Sequence, residues 1–229
     1  MTRREQLAAS LAALEGRLAA ACTAAGRDRA SVTVVAVTKT HSVEDVALLA
    51  GLGVTDVGEN RDQEAAAKAA ALPDLRWHFV GGLQTNKARS VTAYADVVHS
   101  LDRPALAAAL SAGAVRAQRT VDVLLQVSLD GDPARGGALP GDLDALAEQV
   151  AGAPGLRLAG VMAVAPRDVD PAAAFSELAA LSRRLRVQHP GAVHISAGMS
   201  GDLEQAVACG ATYVRVGTAL LGPRPPLLG

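Results

Sequence analysis

Eight short apolar runs alternate with helical patterns along this chain, without a linker or a break in composition, and that beat limits the folds open to it. Runs rich in β-branched residues over 32–38, 55–59, 76–80, 96–100, 121–127, 156–163, 193–196 and 212–216 read as strands. Helical periodicity falls between them at 43–52, 61–71, 86–94, 103–117, 141–151, 171–188 and 201–209, with a last short turn from Thr218. The repetition predicts an α/β fold, a single (β/α)8 TIM-type barrel over 1–229. A doubly wound open sheet is the alternative. It would carry Gly-x-Gly-x-x-Gly after its first strand, where Thr38-Lys39-Thr40-His41 stands instead.

Boundary residues support the same parsing. Ser42 with Asp45 reads as a capping pair, Pro104 and Pro171 sit where a first helical turn tolerates proline, and Gly26, Gly53 and Gly210 follow helical runs. The stretch Asp130-Gly131-Asp132-Pro133-Ala134-Arg135-Gly136-Gly137 reads as a turn-rich, mobile excursion. Ahead of the first strand, leucines at 7, 11, 14 and 18 predict an extra N-terminal amphipathic helix. Arg3-Arg4 before an alanine-rich run superficially suggests an export signal, but Glu15, Gly16 and Arg17 interrupt it. No stretch reads as long and apolar enough to span a bilayer, so a cytoplasmic protein is expected.

Composition removes several partners. A formal net charge of −1 and 2% aromatic residues give no electrostatic or stacking basis for binding nucleic acid or anionic membrane. Cys22 and Cys209 lie on opposite halves and match no metal spacing, as expected of thiols in a reducing compartment. No arrangement of His, Cys and carboxylates suggests a metal site.

In a (β/α)8 barrel the carboxyl ends of the strands carry the chemistry. The first strand ends on Lys39, one of three lysines against nineteen arginines. The second offers Gly58-Glu59-Asn60, the third His78, the fourth His99 and Ser100. The sixth offers Met162, which reads as packing. The seventh gives Ser196-Ala197-Gly198-Met199-Ser200 and the eighth Arg215-Val216-Gly217-Thr218, on the two strands whose loops commonly bind phosphate in this fold. Small residues, hydroxyls and exposed N–H groups at Ser196, Gly198, Ser200, Gly217 and Thr218 form such a cradle, helped by a helix starting near Gly201. Loop composition and a Ser200 helix cap would produce the same residues without a ligand. Arg215 shares a face with Tyr213 and Gly217, and a cation buried there needs a ligand atom or a carboxylate. His78 and His99 read first as core histidines.

A lysine, a phosphate cradle and a buried arginine on one face suggest pyridoxal 5′-phosphate held as a Schiff base. At a reference pKa of about 10.4 few lysines are neutral at pH 7, and apolar walls with Arg215 nearby would favour the neutral amine.

Ala36-Val37-Thr38-Lys39-Thr40, Gly58-Glu59-Asn60, Trp77-His78-Phe79-Val80-Gly81 and Leu83-Gln84-Thr85-Asn86-Lys87 resemble motifs of the pyridoxal phosphate homeostasis protein family. So do Gly160-Val161-Met162-Ala163, Gly198-Met199-Ser200-Gly201-Asp202 and Val214-Arg215-Val216-Gly217-Thr218-Ala219-Leu220-Leu221-Gly222. The resemblance implies an alanine-racemase-type barrel in which Lys39 carries the cofactor covalently, Ser200, Gly217 and Thr218 hold its phosphate and Arg215 faces the ring nitrogen. Asn60 would line the pocket, and His78, Ser196 and Met199 complete the expected cofactor-binding set. It also implies a role in cofactor balance and amino-acid metabolism without an established catalytic activity. Apo-enzymes as recipients and a monomeric state are expected. His41, Arg61 and the segment Ala134-Arg135-Gly136-Gly137 depart from the family pattern of a second lysine, a tyrosine and a lysine-bearing loop. Transfer through those positions would then run through Arg135 and Lys87.

Two enzymatic readings compete. A pyridoxal-phosphate racemase or lyase needs a second acid or base, supplied in racemases of this type by a further β domain. The sequence closes at Pro223-Arg224-Pro225-Pro226, soon after the eighth strand, and its only tyrosines are Tyr94 and Tyr213. A Schiff-base aldolase would use the lysine and the cradle without needing Arg215.

Overall fold

The computed structural model describes residues 1–222, so Pro223-Arg224-Pro225-Pro226 lies outside the described residues. The elements run α1 (Arg3–Ala24), β1 (Thr33–Val37), α2 (Val43–Ala50), β2 (Asp56–Glu59), α3 (Asp62–Ala71), β3 (Arg76–Phe79), α4 (Ala88–Tyr94), β4 (Val97–Leu101) and α5 (Pro104–Arg116). They continue with β5 (Val121–Gln126), α6 (Leu143–Ala151), β6 (Leu156–Met162), α7 (Pro171–Gln188), β7 (His194–Ser196), α8 (Leu203–Ala208), β8 (Tyr213–Val216) and α9 (Thr218–Leu221). The strands pair in sequence order, all parallel, and β8 closes on β1 through Thr33↔Tyr213 to Ala36↔Val216. The barrel expected from the alternation is the fold observed.

Closure divides the core in two. Between strands and helices lies a continuous apolar layer, while Val35, Val97, Leu124, Met162 and Tyr213 pack inside the barrel. The interior also holds buried polar groups, among them His78, His99, Ser196 and Arg215. Where β5 and β6 slip register near Leu124↔Gly160, Gly160 has φ +154°, and a Cβ there would sit 1.8 Å from His194 O. Only glycine allows β7 to approach so closely.

The predicted N-terminal helix is present. Leu7, Leu14 and Leu18 of α1 are buried against α2, α8 and α9, each contributing about 1.5–3 kcal/mol by leaving water. Arg3 pairs with Asp45 of α2 and donates to Leu221 O, and Arg17 pairs with Glu204. Contrary to the sequence expectation, α1 does meet the length and hydropathy of a membrane-crossing helix, although its leucine stripe is seated on the barrel. The excursion at 130–137 is also tied down rather than loose. Arg135 pairs with Asp130 at 3.0 Å and donates to Val164 O and Ala165 O, each at 2.9 Å.

Candidate functional site

Lys39 follows the end of β1 in a segment gripped on both sides. Thr38 O accepts from Lys68 Nζ at 2.8 Å, and the Thr38 hydroxyl donates to Glu59 Oε1 at 2.7 Å. On the other side Thr40, at φ +69°, donates its N–H to Glu64 Oε1 at 2.7 Å. Lys68 joins both carboxylates, 2.7 Å from Glu59 and 2.6 Å from Glu64. Burial pushes the Glu59 carboxyl above its ordinary range, with Lys68 and Thr38 opposing. One ion cluster thus holds the peptide units flanking Lys39 and sustains a left-handed residue that costs backbone strain. The i,i+4 spacing of Glu64 and Lys68 is visible in the sequence, but its connection to Lys39 appears only when β1 and β2 pair.

The loops after β7 and β8 meet at Ser200. Its Oγ accepts from Ala219 N at 3.4 Å, and its carbonyl accepts from Arg17 NH2 of α1 at 3.1 Å. Ser200 does not cap the helix that follows, and the Asp202 carboxylate just before that helix accepts from Met199 N at 2.6 Å without capping it either. Gly198, at φ +86°, lets the chain pass α8, where a Cβ would lie 2.5 Å from Ala206 Cβ. The helix expected from Gly201 begins later, at Leu203, and spans six residues.

Arg215 is 6% exposed. Its guanidinium donates to Ser196 Oγ at 2.6 Å and to Ala163 O at 3.0 Å, and no carboxylate among the described residues forms an ion pair with it. Burial pulls its pKa down to about 10, with Asp202 opposing, so the group is still a cation at neutral pH.

Seven of the nine predicted residues, Lys39, Asn60, Met199, Ser200, Arg215, Gly217 and Thr218, line one cavity of about 410 Å³. Asn60 Oδ1 there is buried without a hydrogen-bond partner. His78 and Ser196 do not line it. Ser196 lies behind Arg215, and His78 is bonded inside the barrel to Asp56 and His99. The sequence places both at the cavity because strand-tip position alone does not distinguish a side chain facing the mouth from one a layer below.

Comparisons with known proteins show the family. The family model described as the alanine racemase N-terminal domain matches residues 9–225. A pyridoxal phosphate homeostasis protein of Mycobacterium tuberculosis is 44% identical over 243 residues, covering 97% of this chain and 94% of that protein. Its Escherichia coli counterpart is 34% identical, covering 95% and 97%. The chain belongs to the pyridoxal phosphate homeostasis protein family. The structure of PipY from Synechococcus elongatus with PLP bound superposes with a TM-score of 0.83 at 36% identity, covering 95% of this chain and 100% of that one. Alanine racemase of Corynebacterium glutamicum, with a TM-score of 0.69 at 15% identity, shares the fold.

The departures from the family pattern have structural consequences. His41 is buried with Nδ1 3.5 Å from Asp45, and burial holds it below its ordinary pKa. Arg61 and Lys87 line a neighbouring cavity of about 400 Å³ that shares Asn60 with the first. Arg135 is occupied by Asp130 and two carbonyls.

Proposed function

We propose that this chain binds pyridoxal 5′-phosphate covalently through Lys39, as a Schiff base, and takes part in intracellular pyridoxal phosphate homeostasis without turning over a substrate. The observation that carries this reading is Arg215, a buried guanidinium without a carboxylate partner among the described residues that opens onto the same cavity as Lys39. Burying a cation this way is costly unless a ligand supplies electron pairs.

The donor set fits the cofactor. Ser200 and Thr218 offer hydroxyls and Gly217 close backbone approach for a phosphate, Arg215 meets a ring nitrogen, and the orphaned Asn60 Oδ1 awaits a donor. Lys39 would hold the cofactor through its amine, to which a bound cofactor would supply an aldehyde carbon, with water as the leaving group. A guanidinium at the ring nitrogen keeps that nitrogen unprotonated and weakens the ring as an electron sink, which suits holding over turnover. Lys39 and Arg215 are the titratable side chains among the described residues that line the cavity, and none of those residues supplies a second acid or base. That favours a binder over a racemase or lyase. Unpaired Cys22 and Cys209 accord with the cytoplasm. In this reading the protein acts as a monomer, and apo-enzymes are the recipients of released cofactor.

Titration with pyridoxal phosphate followed by absorbance, borohydride reduction and peptide mass spectrometry tests the reading. The expected result is a visible band and a reduced adduct on Lys39, both absent in Lys39→Ala. A colourless protein, or an adduct on Lys68 or Lys87, would overturn it. Racemisation or elimination of alanine or serine by the loaded protein would replace the non-catalytic role with the enzymatic one.

A further inference from the structure

Five buried polar groups cross the barrel interior in single file. Arg215 donates to Ser196 Oγ at 2.6 Å, Ser196 Oγ lies 2.9 Å from His99 Nδ1, His99 Nε2 lies 2.8 Å from His78 Nδ1, and His78 Nε2 lies 2.9 Å from Asp56 Oδ1. The groups come from β8, β7, β4, β3 and β2. All five are buried, with exposures of 6%, 0%, 0%, 1% and 8% in that order.

The chemistry of the two ends sets the direction of every bond between them. A guanidinium only donates and a carboxylate only accepts. With both rings neutral, each intermediate group must therefore accept from the Arg215 side and donate towards Asp56. Ser196 donates its hydroxyl hydrogen to His99 Nδ1 in a hydrogen bond, and both imidazoles carry hydrogen on Nε2. Burial lowers the pKa of both histidines, in keeping with neutral rings. Burial would raise Asp56, but hydrogen bonds from His78 and Thr55 outweigh it and keep the carboxylate ionised.

Such a chain is expensive as packing. Val35, Val97, Leu124 and Met162 fill the same interior with apolar side chains, and apolar residues at the five polar positions would avoid the desolvation they incur. Its effect is on Arg215. Because the Ser196 hydroxyl hydrogen is committed to His99, an oxygen lone pair faces the guanidinium. With a second nitrogen held by Ala163 O, the orientation of the group is determined.

We propose that Asp56, His78, His99 and Ser196 are positioning residues, a one-way hydrogen-bond chain that aims Arg215 into the cavity and so controls how tightly, and in what electronic state, pyridoxal phosphate is held. The ligand in this proposal rests on the function proposed above; the chain itself does not. His99 lies outside the cavity lining, so its effect on the cofactor has to pass through Ser196 and Arg215.

Two measurements test it. In the unliganded protein, nitrogen NMR of labelled histidine should show His78 and His99 neutral with hydrogen on Nε2 at pH 7. A ring in the Nδ1–H form, or either as an imidazolium, would overturn the one-way chain whatever the protein binds. In the second, pyridoxal phosphate is titrated into wild type, His99→Leu, His99→Gln and Ser196→Ala, with folding checked by thermal melts. Breaking the chain in His99→Leu or Ser196→Ala should weaken binding about tenfold (~1.4 kcal/mol) and shift the absorption maximum. A glutamine side chain can accept and donate, so His99→Gln should recover most of both. Wild-type affinity and absorption in a folded Ser196→Ala or His99→Leu would refute the positioning role. Failure of wild type to bind pyridoxal phosphate would instead refute the proposed function, leaving the NMR result to decide the chain.

Discussion

Lys39 draws its meaning from Lys68, a residue nine-tenths buried that the strand-tip reading passes over. Lys68 compensates Glu59 and Glu64 and clamps Thr38 O, so losing its charge strands a carboxylate in the core. Lys68→Met is therefore expected to destabilise the unliganded protein by about 3–5 kcal/mol in urea unfolding. Glu64→Gln keeps an acceptor for Thr40 N–H, whereas Glu64→Ala removes it. The alanine variant should form the visible band with pyridoxal phosphate more slowly than the glutamine variant, as stopped-flow absorbance would show. Lys39 was readable as a rare lysine at a strand end opposite a phosphate cradle, Arg215 as a cation inside a β-branched run, and Asn60 through its family motif. The cluster gripping Lys39 was not, because its members come from β2, α3 and the segment after β1, which nothing in their order places together.

Among the elements, α1 does more than cover the barrel. Its leucines seat α8 and α9, the helices that follow the two cradle loops, and Arg17 holds Ser200 O. Truncating Leu14 to alanine should cost about 2–5 kcal/mol of stability, measured by denaturant unfolding. Arg17→Ala removes a half-exposed pair and should change stability by less than about 1 kcal/mol. It should nevertheless weaken pyridoxal phosphate binding several-fold, because the Ser200 loop loses its brace. Equal affinity for this variant and wild type would show that the brace does not reach the cradle. The leucine spacing of α1 was legible from sequence, whereas its docking partners depended on barrel closure.

For the whole molecule, acid should destabilise the fold early. Burial holds His41, His78, His99 and His194 below their ordinary pKa, so the unfolded chain takes up these protons first. Stability is then full above about pH 6.5 and falls as pH drops below it, by up to about 1.4 kcal/mol per pH unit for each fully buried histidine. Glu59, raised by burial, binds a proton more readily when folded and offsets part of the loss. Asp45 and Asp56, both depressed, add to the loss only below about pH 4. Melting temperatures between pH 8 and pH 5 should show this decline, and His99→Gln should make it shallower. A flat profile would mean that the buried histidines titrate as in the unfolded chain.

The order of strands and helices, the helix caps and the chemistry at the strand ends were all determined by local sequence, because hydrophobic period, turn residues and residue type act over a few positions. Which side chains share a space was decided by closure of the barrel. Closure alone sets the layer each residue occupies, so it put Arg215 at the cavity wall with Lys39 and sent His78 and Ser196 beneath it. A chain of hydrogen bonds across five strands has no local signature, since each link joins residues brought together by the fold and by nothing in their spacing.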